Sequence, residues 1–310
     1  MPFDLTRFHG IFPAAMTMFD AAGDLDERAT AEHWDWLIAQ GAHGLVVCGT
    51  SGEFIALLPD EQRRLCALAV EVAAGRVPVV AGTGHYTTRL TIEQTQAAQR
   101  AGADAAIVIL PYYQKPPKPA ILDHYRRLRQ AVPDLPIMLY NNPLYSGCAE
   151  ITPVEIAALV DEGVIQMVKS TFESVVPVHD LAYLVGDRMR VFYGSFSSAY
   201  EGLAAGAHGW ISGVLNVATR EAVQLYQAVV VDKDIQRGFA VWMRILPLLH
   251  LYTNKQLGDV NDLAIYRSIL AHWGKARSWS RLPFAPLTAE QERMLIARVE
   301  QAGWSKDESR

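Results

Sequence analysis

The chain has 310 residues, half of them hydrophobic and a fifth charged, which suits one large core better than two full-sized domains. A net charge of −5 excludes a general nucleic-acid surface and a polybasic membrane patch. Cys48, Cys66 and Cys148 are far apart and lack CxxC spacing, so neither a disulfide framework nor a cysteine zinc site is expected. No apolar stretch is long enough to span a bilayer, and the opening MPFDLTRFHG has no signal-peptide core, so the cytoplasm is the expected compartment.

Short strand-like runs alternate with amphipathic helical stretches. The strands are expected at residues 11–18, 44–50, 77–82, 105–111, 136–140, 165–169, 189–193 and 209–214. Runs such as GLVVC, AAIVIL and PIMLY are apolar throughout, as parallel strands covered on both faces are. Helices are expected at residues 30–40, 59–74, 87–101 and 152–160, with Gly41, Gly102 and Gly163 at or just past three of the ends. The basic cluster Arg126, Arg127 and Arg129 reads as a solvated helix face. GAHG occurs at residues 41–44 and 206–209, and GADA at 102–105, each leading from a helix into a strand. No GxGxxG follows the first strand, which argues against an open dinucleotide-binding sheet. The predicted fold is therefore α/β, a (β/α)8 TIM barrel over residues 1–232, with a C-terminal helical appendage over 233–310.

Active sites of such barrels lie at the C-terminal ends of the strands. Those ends carry Gly49-Thr50-Ser51-Gly52-Glu53, Pro111-Tyr112-Tyr113, Tyr140-Asn141-Asn142-Pro143, Lys169-Ser170-Thr171 and Gly194-Ser195. Lys169 follows the apolar run VIQMV, so its stem should enter a poorly solvated pocket. Loss of water disfavours an ammonium ion, and a neutral amine can attack a carbonyl. Standing alone, such a lysine would more often snorkel to solvent. Tyr140 on the neighbouring strand offers a phenol for proton relay, and the hydroxyls and glycines of GTSGE suit a carboxylate. The nine histidines are scattered without HExxH, and only His85 lies near the expected site, so no metal or organic cofactor is predicted.

GTSGE, PYYQKP, YNNP, VKST, the glycine of YGS and GWIS stand in order at the strand ends. In these motifs the chain resembles the dihydrodipicolinate synthase and N-acetylneuraminate lyase superfamily of class I, Schiff-base aldolases. The resemblance implies that Lys169 forms the Schiff base and that Tyr140 relays protons. It further implies that Thr50 and Ser51 hold the keto-acid carboxylate, and that Thr50 links Tyr140 to a Tyr113 reaching across a dimer. Gly49, Thr171, Gly194, Tyr145 and the backbone of Ile211 would border the substrate. The implied partners are a small 2-keto acid and an aldehyde, and the implied assembly is a homotetramer built as a dimer of dimers.

Two positions depart from the family's pattern. Tyr145 stands where dihydrodipicolinate synthases carry the arginine that grips a carboxylated aldehyde, and a phenol cannot replace a bidentate guanidinium. Ser195 and Phe196 follow Gly194 where sialic-acid lyases carry an acidic pair. Phe196, Tyr145 and Phe172 point to a more apolar distal pocket. The expected activity is thus aldol cleavage or condensation of pyruvate or another 2-keto acid. The alternatives are 4-hydroxy-tetrahydrodipicolinate synthase proper, a Schiff-base dehydratase or deaminase, and a non-catalytic barrel that binds keto acids.

Overall fold

The structure, a computed structural model, describes residues 3–304. Eight parallel strands form one sheet: β1 (Gly10–Pro13), β2 (Leu45–Val47), β3 (Val79–Gly82), β4 (Ala105–Ile109), β5 (Ile137–Asn141), β6 (Met167–Ser170), β7 (Arg190–Tyr193) and β8 (Gly209–Ser212). β1 pairs with β8 and the order runs back to β2. On the last side Ala14 bridges Val46, and the Ala15 N–H donates to the Val46 carbonyl at 2.8 Å. The sheet therefore curls into the predicted barrel.

The first strand is shorter than residues 11–18: Ala14 and Ala15 still donate to the backbone of β8 and β2, but from Met16 on side chains take its donors. The Met16 N–H donates to Asn216 Oδ1, and the Met18 N–H to Thr30 Oγ1, each at 3.0 Å. These bonds lift the chain off the sheet and over the barrel mouth.

Between the strands lie α1 (Glu27–Ala39), α2 (Pro59–Ala73), α3 (Thr88–Ala101), α4 (Lys118–Ala131), the short α5 (Pro143–Ser146), α6 (Pro153–Asp161), α7 (Val176–Val185), α8 (Ala199–Ala204) and α9 (Leu215–Tyr226). Their ends follow local chemistry. Asp26 caps α1 by accepting from the Ala29 N–H, which starts the helix earlier than residue 30. Thr152 and Glu155 form a capping box on α6, and Gly102 ends α3 at φ +91°.

A side chain just before each even-numbered strand accepts a backbone N–H at the start of the strand before it. His43 Nδ1 accepts from Ile11, Asp104 Oδ2 from Val79, Gln166 Oε1 from Ile137, and His208 Nδ1 from Val191, at 2.8–3.1 Å. The repeated GAHG and GADA turns are thus acceptor positions that satisfy strand donors at the barrel floor. They lie at the end opposite the reactive strand ends.

The barrel interior is filled by Phe12, Val46, Val80, Ile107, Met138, Tyr140, Met167, Phe192 and Ile211, with Phe12 and Phe192 edge to face at 4.9 Å. The tail comprises α10 (Ile235–Thr253), α11 (Asp262–His272) and α12 (Ala289–Gln301). Trp242, Ile245, Ile265, Leu295 and Trp304 of the tail share one apolar cluster with Ile11, Trp210 and Leu225 of the barrel. No helix among the described residues is long and apolar enough to cross a membrane.

Candidate active site

A cavity of about 420 Å³ opens at the C-terminal ends of the strands. The loop after β2 contributes Thr50 and Ser51, β5 and its extension contribute Tyr140 and Asn142, and β6 contributes Lys169 with Thr171 beyond it. Gly194 and Phe196 follow β7, Ser212 and Gly213 close β8, and Tyr145 projects from α5. Lys169 and Tyr140 are each only 6% exposed, and the Lys169 ammonium lies 4.2 Å from the centre of the Tyr140 ring.

The Tyr140 hydroxyl accepts a hydrogen bond from Asn142 Nδ2 at 2.9 Å, and Thr50 and Lys169 also bond to it. Burial alone would push this phenol up. The positive charge of Lys169 and the three hydrogen bonds outweigh that and hold it below its ordinary value of 10.0. Asn142 serves two elements at once, because its Oδ1 also accepts the Tyr145 N–H at 3.1 Å and so starts α5.

Gly194 leaves room for the lysine. A Cβ there would lie 2.2 Å from Thr171 Oγ1 and 2.8 Å from Lys169 Cε. Thr171 Oγ1 and Ser212 Oγ, in residues that line the cavity, are buried without a hydrogen-bond partner.

Of the residues expected at the site, Thr50, Ser51, Tyr140, Tyr145, Lys169, Thr171 and Gly194 line the cavity. Gly49 lines a smaller cleft beneath it, shared with Thr50, Tyr140 and Lys169. Ile211 is fully buried in the barrel interior, and Ser212 and Gly213, next along the chain, line the cavity. Tyr113 does not line the cavity; it is 87% exposed at φ +74°. Phe172 and His85 do not line it either, and the His85 ring instead accepts the Thr87 N–H. Among the described residues no group of three or more side chains could hold a metal ion.

The tail supplies a wall that sequence reasoning missed. Asn261, Asp262, Leu263 and Phe284 all line the cavity. Burial pushes the Asp262 carboxyl up to about 6, and nearby Glu53 adds to the shift. Glu53 in turn pairs with Arg267 of α11 at 2.5 Å, with both side chains under 5% exposed. No local sequence signal links these tail residues to the strand ends; the Asx cap at Asn261 marks only the start of a helix.

The model of the Dihydrodipicolinate synthetase family matches residues 7–302. The 4-hydroxy-tetrahydrodipicolinate synthase of Thermomicrobium roseum is 35% identical over 289 residues, covering 93% of each chain. That of Methanothrix thermoacetophila is 35% identical over 292 residues, covering 93% of this chain and 95% of its own. Among solved structures, YagE, a prophage protein of the dihydrodipicolinic acid synthase family from E. coli K12 in complex with pyruvate, superposes with a TM-score of 0.87. It is 30% identical and covers 96% of this chain and 99% of its own. A putative dihydrodipicolinate synthetase from Pseudomonas aeruginosa reaches 0.88 at 31% identity, covering 95% and 99%. With a barrel of this form and matches of this extent, the chain belongs to the dihydrodipicolinate synthetase family, whose members are lyases of the class I aldolase type.

Proposed function

We propose that this chain is a Schiff-base lyase or aldolase for pyruvate or another 2-keto acid, with Lys169 as the nucleophile. The observation that carries the reading is the pairing of a buried amine and a buried phenol, 4.2 Å from amine to ring centre, beneath a cavity with unpaired hydroxyls. The pyruvate bound in the YagE structure supports the substrate class.

Once it has given up its proton, the amine of Lys169 attacks the C2 carbonyl, and the phenol of Tyr140 protonates the resulting oxygen. Water leaves the carbinolamine, which gives an iminium. In cleavage, the Tyr140 phenolate left by these transfers removes the proton of the C4 hydroxyl, the C3–C4 bond breaks, and its electron pair enters the iminium as an enamine. An aldehyde departs, C3 is reprotonated, and water hydrolyses the iminium to release the keto acid. Condensation is the reverse. Thr50 and Ser51, flanked by glycines, are suited to hold the keto-acid carboxylate.

Tyr145 occupies the cavity wall where a carboxylated aldehyde would need a cation, so the lysine-pathway reaction of the named relatives is the less favoured reading. A dimer of dimers accommodates the exposed Tyr113, which would complete the relay in a neighbouring copy. The three buried free thiols fit a reducing cytoplasm.

Borohydride reduction with pyruvate, followed by peptide mass spectrometry, tests the covalent step. The expected adduct is on Lys169; its absence with pyruvate and with longer 2-keto acids would refute the mechanism. Tyr140→Phe is expected to lower kcat by about 10²- to 10⁴-fold, with less effect on KM for the keto acid. An unchanged kcat would remove the relay role.

A further inference from the structure

Asp262 lines the cavity from the first turn of α11, next to the Asn261 cap. Its oxygen lies beside the hydroxyl loop. A Cβ built on Gly213 would stand 2.7 Å from Ser51 Oγ and 3.4 Å from Asp262 Oδ2, so both side chains crowd the same glycine. Tyr266, buried behind the wall, donates its hydroxyl to Asp262. Tyr145 donates its hydroxyl to Tyr252.

Among the described residues that line the cavity, no charge of opposite sign is free to balance this carboxyl. Lys169 is the only lysine or arginine among the described residues lining the cavity, and the proposed chemistry commits it to the keto acid. Arg267 lies outside the lining, tied to Glu53, to Ser278 Oγ at 2.6 Å and to the Thr17 carbonyl at 2.9 Å. A second observation indicates a polar ligand. Ser212 Oγ and Thr171 Oγ1 are buried without a hydrogen-bond partner in residues that line the same cavity. Ile55, Phe196, Leu263 and Phe284 add apolar surface to the cavity lining.

We propose that Asp262 determines which second substrate the cavity admits. Its carboxylate accepts a hydrogen bond from a hydroxyl of a short, uncharged aldehyde, and it repels an aldehyde that carries its own carboxylate. The assignment rests on Lys169 being the covalent anchor for the keto acid. A carboxylate facing a carboxylate in a partly desolvated cavity is unfavourable unless one is protonated or a cation intervenes. A hydroxyl meets the same oxygen with a charge-assisted hydrogen bond.

The test is condensation with pyruvate at pH 8, using glyceraldehyde, propionaldehyde and succinic semialdehyde as aldehydes. For the wild-type chain, kcat/KM with glyceraldehyde should exceed that with each of the other two by at least tenfold. In Asp262→Asn the preference over succinic semialdehyde should fall at least tenfold, and in Asp262→Ala the preference over propionaldehyde should fall similarly. If the variants are unstable, the wild-type preferences decide alone. Wild-type preference for succinic semialdehyde, absent preference, or preferences that survive both substitutions would overturn the assignment. Borohydride trapping of pyruvate on the same wild-type preparation reads Lys169 separately. A chain that traps pyruvate but lacks the preference refutes Asp262 alone, whereas absent trapping refutes the covalent mechanism and this inference with it.

Discussion

Lys169 depends on what its neighbours leave out as much as on what they provide. Gly194 faces its stem, and a methyl group there would overlap Thr171 Oγ1 and Lys169 Cε. Gly194→Ala should therefore displace the amine and lower pyruvate trapping by about 100-fold, at a stability cost of about 1–3 kcal/mol. Turnover close to wild type would mean that the wall can give way. Asn142 acts on the phenol instead. Its amide donates to the Tyr140 oxygen and so favours the phenolate. Removing that donor in Asn142→Ala should raise the phenol, so the limb of the kcat profile governed by Tyr140 should move to higher pH. A limb that stays in place, or moves down, would show that Asn142 does not tune the relay. The same substitution frees the Tyr145 N–H, so an altered aldehyde KM is expected alongside.

At the scale of elements, the barrel floor explains a repeat that was visible in the sequence without its meaning. His43 in the first GAHG turn accepts the N–H of Ile11, which is fully buried in β1. His43→Ala leaves that donor unpaired and should cost about 1–3 kcal/mol in urea unfolding. His43→Asn, whose Oδ1 can stand in for Nδ1, should recover most of it. Equal losses in both variants would assign the cost to ring packing against His9 and Tyr226 instead. The floor was legible only as a pattern because Asp104 and Gln166 do the same work with different side chains, and no residue-type repeat marks the class. Strand cores and helix caps were legible because apolar runs, Thr152-x-x-Glu155 and Gly102 carry local physical reasons for where an element begins or ends. The end of β1 was not, because Asn216, two hundred residues away, takes the Met16 donor.

The whole molecule places the site between two parts of the chain, of which the sequence made only one readable. Motifs at strand ends were legible because barrel geometry gathers every strand end on one rim. Asp262, Leu263 and Phe284 were not, because the docking of a helical tail leaves no periodic mark in its own residues. Acid should loosen the assembly as a whole. Burial pushes His33 and His124 down to about 4 from 6.5, so the unfolded chain takes up protons that the folded chain refuses between those values. Stability present above pH 6.5 should fall as pH drops toward 4, by a few kcal/mol in all, which thermal melting across that range would read.

The tie between the two parts is the Glu53–Arg267 pair. Glu53 closes the loop that carries Thr50 and Ser51, and Arg267 lies on the helix that carries Asp262. The Arg281 N–H also donates to Glu53, so two tail segments hold one carboxylate. A buried ion pair contributes little net stability against an apolar replacement, but removing one partner strands the other. Arg267→Met should therefore cost about 3–5 kcal/mol and reduce pyruvate trapping, because an unpaired Glu53 must find water or move its loop. The double variant Glu53→Leu with Arg267→Met should regain most of the stability. Trapping is expected to recover with it only if the apolar pair keeps the loop in place. Urea unfolding and trapping measured on the three proteins separate the two roles. A single substitution costing less than about 1 kcal/mol would show that the loop reaches solvent without the tail, and the tail would then be a cover over the barrel mouth instead of a clamp on its hydroxyl loop.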